Sequence, residues 1–419
     1  MSAPPPAVGA PPTHPTALHP TALHPTAARP TVGLRPAAHR RTLAGHPWVY
    51  SNEIEMTPSA KALPPGTPVR LLAADGRPLG LYGFNPQPLI AARLLSRDAE
   101  AIIDEDFVVA RLGRALALRE RLVGAPFYRL VHAEADGLPG LIVDRYGDSL
   151  VVQPNSAVAD RLTPLVLAAL RRLLSPAAIV LRGDSPARTL EGLPAVESVE
   201  GAPALPIELV ENGARFFADP VGGQKTGWFY DQRDNRALVA RLARGLTMLD
   251  AYCYTGGFAV QAALGGAAAV TALDRSADAL ALAGRAAAAN GVAERCSFRR
   301  AEVFAELAAL AAEGRRFDIV AADPPAFVKS RKDLPQGLRA YRKLARLAAA
   351  LVAPGGFLFV ASCSHNVTPD DLAEQVARAL ADLGRGGRIL HRGGAAPDHP
   401  VHPALPETAY LKAELLQLD

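Results

Sequence analysis

The feature that most constrains this chain is a change of rhythm near residue 215. From there onward apolar segments alternate with Ala/Leu-rich helical ones. The apolar segments are LTMLDAY (246–252), AAVTALD (268–274), CSFRRAEV (296–303), FDIVAAD (317–323) and GFLFVAS (356–362). Strands that are apolar along their whole length are buried on both faces. Separated by helices, they form a mostly parallel sheet with helices packed on each side. ETAYLKAELLQL (407–418) reads as an edge strand closing that sheet. An α/β domain is therefore expected over 213–419.

The preceding sequence has a different texture. Residues 1–31 are rich in Pro, Ala and Thr and repeat a His-Pro-Thr-Ala unit at His14, His19 and His24. Proline blocks both helix and ladder, and the segment lacks the apolar bulk for a core, so a disordered tail is expected rather than a metal-chelating one. Over 32–100 the pattern is short strands and turns, with turn signals at Pro65-Gly66, Asp75-Gly76 and Asn85-Pro86. Residues 101–212 read as a second α/β unit. It has helices at 101–125 and 158–174 and a hairpin turning at Gly147-Asp148.

Composition narrows the function classes. A chain of 419 residues exceeds one ordinary domain. No apolar run reaches the roughly 18 residues of a membrane span, and no secretory signal is visible. The three cysteines, Cys253, Cys296 and Cys363, have no paired spacing. They argue against a disulfide framework or a structural metal site and for a reducing, cytoplasmic setting. A net charge of +4 and a pI near 9.0 permit a nucleic-acid partner without demanding one.

Ligands of open α/β sheets bind at the carboxyl ends of the strands. The first strand ends in LDAYCYTGGF (249–258). Thr255-Gly256-Gly257 is a turn that lets backbone approach a ligand, and Phe258 opens a helix. Asp274, ending the second strand, is placed to accept ribose hydroxyls, and Glu302, after the third, to meet an adenine edge. Tyr252, Arg275 and Val303 flank these positions. A glycine turn with a downstream acid also suits a dinucleotide, but the full GxGxxG is absent. Asp250 before the turn repels phosphate and suits a cationic ligand, which favours S-adenosylmethionine over NAD. The bland alternative makes Asp250 a helix cap and Asp274 a solvated strand end.

The fourth strand ends in ADPPAFVKS (322–330), where Asp323 and Pro324 form a rigid lip suited to gripping the exocyclic amine of a planar base. The fifth ends in Ser362-Cys363-Ser364. Position alone leaves Cys363 open between a core thiol and a catalytic one.

Taken in order, these motifs resemble the PUA-containing bacterial family of large-subunit ribosomal RNA cytosine-C5 methyltransferases, over nearly the whole chain after residue 32. HRRTLAGHPWVYSNEI (39–54) and YGFNP resemble its N-terminal PUA domain, and VHAEADGLPGLIVDRYGD its central hairpin-bearing domain. QKTGWFYDQRDNR (224–236) resembles the motif opening its catalytic domain, followed by YTGGF, DPPAF and SCS; the closing GGAAPDHPVHPALPETAYLK (393–412) is similar too. DPP alone is common among methyltransferases, whereas the ordered set is specific. The resemblance implies a Rossmann-like class I methyltransferase sheet with a reversed last strand, preceded by a small β-rich PUA-like domain and a central α/β domain. It implies S-adenosylmethionine as cofactor and Cys363 as nucleophile, attacking carbon 6 of cytosine so that carbon 5 can take the methyl group. Asp323 would steady the base. A second cysteine that many relatives carry after the DPP-like motif is replaced here by Ala326. Release of the enzyme then needs another base, with His365 and Asp323 as candidates. Glu302 stands where relatives commonly have aspartate. Lys225, Asp231 and Gln232 are implied to close over the methionine end of the cofactor; a surface salt-bridge cluster is their bland alternative.

Lys329, Arg331 and Lys332 follow the DPP lip, and Arg339, Arg342 and Lys343 follow on the next helix. Beside a base pocket they are expected to contact RNA phosphates. Arg40, Arg41 and Trp48 are expected to add charge and stacking. A cytosine inside a duplex is unreachable, so the substrate expected is naked or partly assembled ribosomal RNA with the target unpaired or flipped out. The rival readings are a guanine-nitrogen rRNA methyltransferase, a non-catalytic RNA-binding assembly factor and a nicotinamide enzyme. A homodimer is left open.

Overall fold

The computed structural model describes residues 29–223 and 226–419. The His-Pro-Thr repeat and Lys225 lie outside the described residues. Among those described, no helix is long and apolar enough to cross a membrane.

The first unit is a five-stranded sheet of β1 (Thr31–Gly33), β2 (Trp48–Tyr50), β3 (Thr67–Leu72), β4 (Pro78–Phe84) and β5 (Ile90–Ser96), in the order β1-β3-β4-β5-β2. Short helices α1 (His39–Leu43) and α2 (Pro58–Lys61) interrupt it. β3 and β4 pair antiparallel, with Val69 opposite Tyr82, on either side of the Asp75-Gly76 turn.

The second unit begins with helix α3 (Glu105–Val123), capped by Asp104, whose side chain accepts from Phe107 N at 2.9 Å. Its sheet contains β6 (Phe127–His132), β7 (Leu141–Tyr146), β8 (Ser149–Pro154), β9 (Ala178–Gly183) and β10 (Val196–Gly201), ordered β10-β9-β8-β7-β6. α4 (Ala157–Leu174) crosses between the parallel pair β8 and β9, and α5 (Pro186–Leu190) follows. The first two units are joined by buried charge. Arg93 of β5 bridges Glu134 at 2.8 Å and Glu191 at 2.9 Å, and Asn85 donates to the Glu191 backbone carbonyl at 2.9 Å.

A hairpin, β11 (Ile207–Glu211) and β12 (Ala214–Ala218), leads into the last unit. There α6 (Arg233–Leu242), β13 (Thr247–Ala251), α7 (Gly257–Leu264), β14 (Ala269–Asp274), α8 (Ala277–Ala289), β15 (Cys296–Arg300), α9 (Val303–Ala312), β16 (Phe317–Ala322), α10 (Leu334–Leu351), β17 (Val352–Ser362), α11 (Pro369–Asp382), β18 (Gly387–Gly393) and β19 (Lys412–Leu418) build a seven-stranded sheet ordered β15-β14-β13-β16-β17-β19-β18. Alternate residues of the inner strands enter opposite cores. Met248, Ile319 and Phe359 face one layer and Leu249, Val320 and Val360 the other. This is why the inner strands are apolar throughout.

The closing strand is not the edge. β19 lies antiparallel between β17 and β18, and the edge belongs to β18, which is almost wholly exposed. GRILHRG has no buried face to generate an apolar signal, so it is inconspicuous in sequence. The connection 394–411 between these strands reaches back across the molecule. Asp398 accepts from Arg129 N at 3.0 Å, and Glu407 lies 3.8 Å from His46.

Candidate active site

The carboxyl ends of β13, β14, β16 and β17 converge on one cavity of about 420 Å³. The turn after β13 forms one wall. Tyr252 and Tyr254 hold left-handed backbone (φ 66° and 49°), which costs non-glycine residues energy and is characteristic of functional turns. Gly256 follows at φ 80°, where an added Cβ would lie 2.9 Å from that of Ala283. A Cβ on Gly257 would meet Arg236 Nε at 2.5 Å. This close packing seats the first turn of α7 beside the cavity.

Asp274 fixes the same turn from the next strand. Its two carboxylate oxygens accept from Tyr254 N and Ser276 N, each at 2.9 Å, while the side chain still faces the cavity. Glu302 caps α9 through Ala305 N at 2.9 Å and also lines the cavity, beside Val303 and Arg275. Asp231 and Gln232, buried at the start of α6, complete this side. Asp231 accepts from the Tyr410 hydroxyl at 2.6 Å, and Gln232 from Asn235 at 2.6 Å.

Asp250 is a correction to the sequence reading. Its buried carboxylate does not line the cavity; it accepts from Ala259 N at 2.9 Å and so caps α7 from behind the wall. Burial pushes its pKa up to about 7. Gly256 likewise lies behind the wall that Thr255, Gly257 and Phe258 form.

Opposite the turn, Asp323, Pro324 and Cys363 share the cavity wall, with the Cys363 thiol 4.0 Å from the Pro324 carbonyl oxygen. The serines flanking Cys363 are pinned by a tyrosine that the sequence analysis missed. The Tyr341 hydroxyl lies 2.8 Å from Ser362 Oγ and 2.9 Å from Ser364 Oγ, and Ser364 Oγ accepts from Val328 N at 3.2 Å. Cys253 also touches the cavity, but burial and then the neighbouring carboxylates of Asp250 and Asp274 push its thiol well up. Cys296 is away from the wall, raised to about 11 by burial. Trp228 and Phe229 of the QKTGWFYDQRDNR motif and Phe327 of DPPAF add aromatic lining that the sequence analysis did not assign to the site.

The proposed RNA contacts divide. Lys329, Arg331, Lys332, Arg339 and Arg40 are exposed. Arg342 is committed to Asp382 at 2.5 Å, and Lys343 lies 5.0 Å from the Phe304 ring. Trp48 is committed within the protein: its indole N–H donates to Glu134 at 2.7 Å and Arg93 covers its ring. Arg41 bonds His46 at 2.6 Å and stacks on Tyr50. Sequence position alone gave no sign of these internal partners.

The cavity fits a cationic nucleoside. Asp231, Asp274, Glu302 and Asp323 outnumber Arg236 and Arg275 on its wall, and Arg236 is already paired with Glu211 at 2.7 Å. The buried Thr255 hydroxyl on that wall has no hydrogen-bond partner among the described residues, so a donor or acceptor is available to a ligand.

This fold and site define a nucleoside-binding class I transferase, and similarity to known proteins specifies it. The family model of S-adenosylmethionine-dependent methyltransferases matches residues 186–416, and the chain belongs to that family. A PUA-like domain model matches residues 32–97, so the first unit is a PUA-like domain. The ribosomal RNA large subunit methyltransferase I of Shewanella denitrificans is 38% identical over 91% of this chain and 97% of its own length. That of Aeromonas hydrophila is 38% identical over 88% and 94%. A Streptococcus mutans protein assigned as a SAM-dependent methyltransferase superposes with a TM-score of 0.79 at 20% identity, covering 93% of this chain and all of the other. A similar crystal structure, also with a TM-score of 0.79 and 20% identity over 93% and 99%, contains SAH. S-adenosylmethionine is thus the cofactor, which disposes of the nicotinamide alternative.

Proposed function

We propose that this protein transfers a methyl group from S-adenosylmethionine to carbon 5 of a cytosine in large-subunit ribosomal RNA, through a covalent bond between Cys363 and carbon 6. Two things support the substrate: relatives named as large-subunit rRNA methyltransferases align along nearly the full chain, and the chain carries a PUA-like domain. The observation that carries the chemistry is the Cys363 thiol on the cavity wall, 4.0 Å from the carbonyl of Pro324 and beside Asp323.

Carbon 5 of cytosine is a weak nucleophile. The Cys363 thiolate adds to carbon 6, forming the S–C6 bond and pushing electron density to carbon 5. Bound S-adenosylmethionine supplies an electrophilic methyl on a sulfonium, whose S–C bond electrons stay with the departing sulfur. Asp323 on the DPP lip holds the N3/N4 edge of the base while carbon 5 takes the methyl. A base then removes the carbon-5 proton, and the pair left behind re-forms the C5–C6 double bond and expels the Cys363 thiolate. Of the two candidate bases, Asp323 lines the cavity, whereas His365 is exposed and stacks on Tyr410 at 5.3 Å.

Lys225 at the methionine end, and Lys329, Arg331, Lys332 and Arg40 as phosphate contacts, belong to the same proposal. The substrate is naked or partly assembled RNA, because the target base must leave its stack. The rival is methylation of a guanine nitrogen, which is already nucleophilic and needs no enzyme thiol. In a labelled-methyl assay on ribosomal RNA, C363A is expected to abolish turnover while keeping cofactor binding. Retained turnover would favour the guanine reading, and wild-type protein without any transfer would favour a non-catalytic assembly factor.

A further inference from the structure

Beside the candidate nucleophile lies a buried cation that the catalytic steps do not use. Lys412 opens β19 directly opposite Ser362 in the antiparallel pairing with β17, and only 5% of the residue is exposed. Its ammonium donates to the Ser364 carbonyl at 2.6 Å and the Tyr410 carbonyl at 2.8 Å. A lysine carries three N–H donors, so these two bonds fix the head group and leave the third. The residue between Ser362 and Ser364 is Cys363, and the thiol and the ammonium are near enough to influence each other's charge. Burying an ammonium is costly unless it serves a partner of opposite charge.

We infer that Lys412 is a positioning residue for Cys363: held by the Ser364 and Tyr410 carbonyls, its ammonium stabilises the Cys363 thiolate and fixes the turn that presents it. The inference rests on the reading of Cys363 as nucleophile. Burial draws the lysine down to about 8 against the opposing pull of Cys363 and then Asp371. Other groups near this thiol include Tyr341 from α10, Tyr410 before β19, and Asp323 on the same cavity wall; His365 stacks on Tyr410. The two phenols are held neutral by burial, a carboxylate at Asp323 disfavours a second negative charge, and the Lys412 ammonium favours it.

The test is the pH dependence of iodoacetamide alkylation of the full-length protein, read on the Cys363 peptide by mass spectrometry. An ordinary thiol has a midpoint of about 8.5; the wild-type protein is expected below about 7.5. K412M should raise the midpoint by about one unit, cutting alkylation at pH 7 about tenfold, and K412R should restore it to within about half a unit. A wild-type midpoint at or above that of an ordinary thiol overturns the inference, whether or not K412M folds. So does a K412M protein with native circular dichroism and an unchanged midpoint. Failure of the nucleophile reading is separate: it shows as turnover by C363A, whatever the alkylation profile.

Discussion

The carboxylate of Asp250 accepts a hydrogen bond from the backbone N–H of Ala259 at 2.9 Å, entirely inside the protein. The acid ending the first strand of the catalytic sheet therefore holds the helix behind the cofactor turn, and Thr255, Gly257 and Phe258 in front of it form the surface that meets the ligand.

This placement makes stability depend on pH. The Asp250 carboxyl has its pKa raised from 3.8 to about 7, burial being the main cause. Its protonated form is thus favoured by folding. That stabilisation is full below about pH 4 and lost as pH rises through about 7, up to about 4 kcal/mol by linkage. D250N, which keeps an oxygen acceptor for Ala259 without the charge, should flatten the fall in unfolding free energy between about pH 4 and 7. Urea titrations at several pH values would measure it, and an unchanged slope would contradict the assignment.

Tyr341 joins both serines flanking Cys363 through one hydroxyl. Y341F takes one hydrogen bond from each of two buried serine hydroxyls, which keep Val328 N and Ser364 N as partners, and should cost about 1–3 kcal/mol in urea unfolding. It should also lower kcat by more than it changes the KM for S-adenosylmethionine, because the thiol turn loosens while the cofactor wall stays. Equal kcat in the two proteins would remove Tyr341 from the account.

Two glycines should respond in opposite directions. G256A forces an alanine to φ 80° with its Cβ 2.9 Å from Ala283, so a loss of about 1–3 kcal/mol and at least about tenfold weaker cofactor binding by calorimetry are expected. G284A lies within α8 with nothing within 4 Å of the new Cβ, and should gain about 0.5–1 kcal/mol. A G256A protein that binds cofactor normally would show that the turn tolerates a side chain.

Much of this architecture is legible in the residues themselves. Continuous apolar strands announce a two-sided sheet, and the residues at or just past their carboxyl ends — Asp274, Glu302, Asp323 and Cys363 — meet at one cavity because parallel strands end on the same edge. What the sequence conceals is direction and long-range partnership. Whether Asp250 faces ligand or helix depends on where α7 begins, which periodicity does not resolve. Tyr341 lies on another helix and Lys412 on another strand, so nothing local connects either to Cys363. Trp48 and Arg41 have the composition of an RNA-binding surface, yet Glu134, Arg93, His46 and Tyr50 already engage them. β18 was overlooked because an exposed edge strand needs no apolar face.

The atom that receives the methyl group distinguishes cytosine-C5 from guanine-nitrogen chemistry. Wild-type protein incubated with isotopically labelled S-adenosylmethionine and unmodified large-subunit ribosomal RNA, followed by digestion to nucleosides and mass spectrometry, tests it most directly. The label is expected in 5-methylcytidine alone, and it should be absent when C363A replaces the wild type. Label in a methylated guanosine, or 5-methylcytidine formed equally by C363A, would contradict the account.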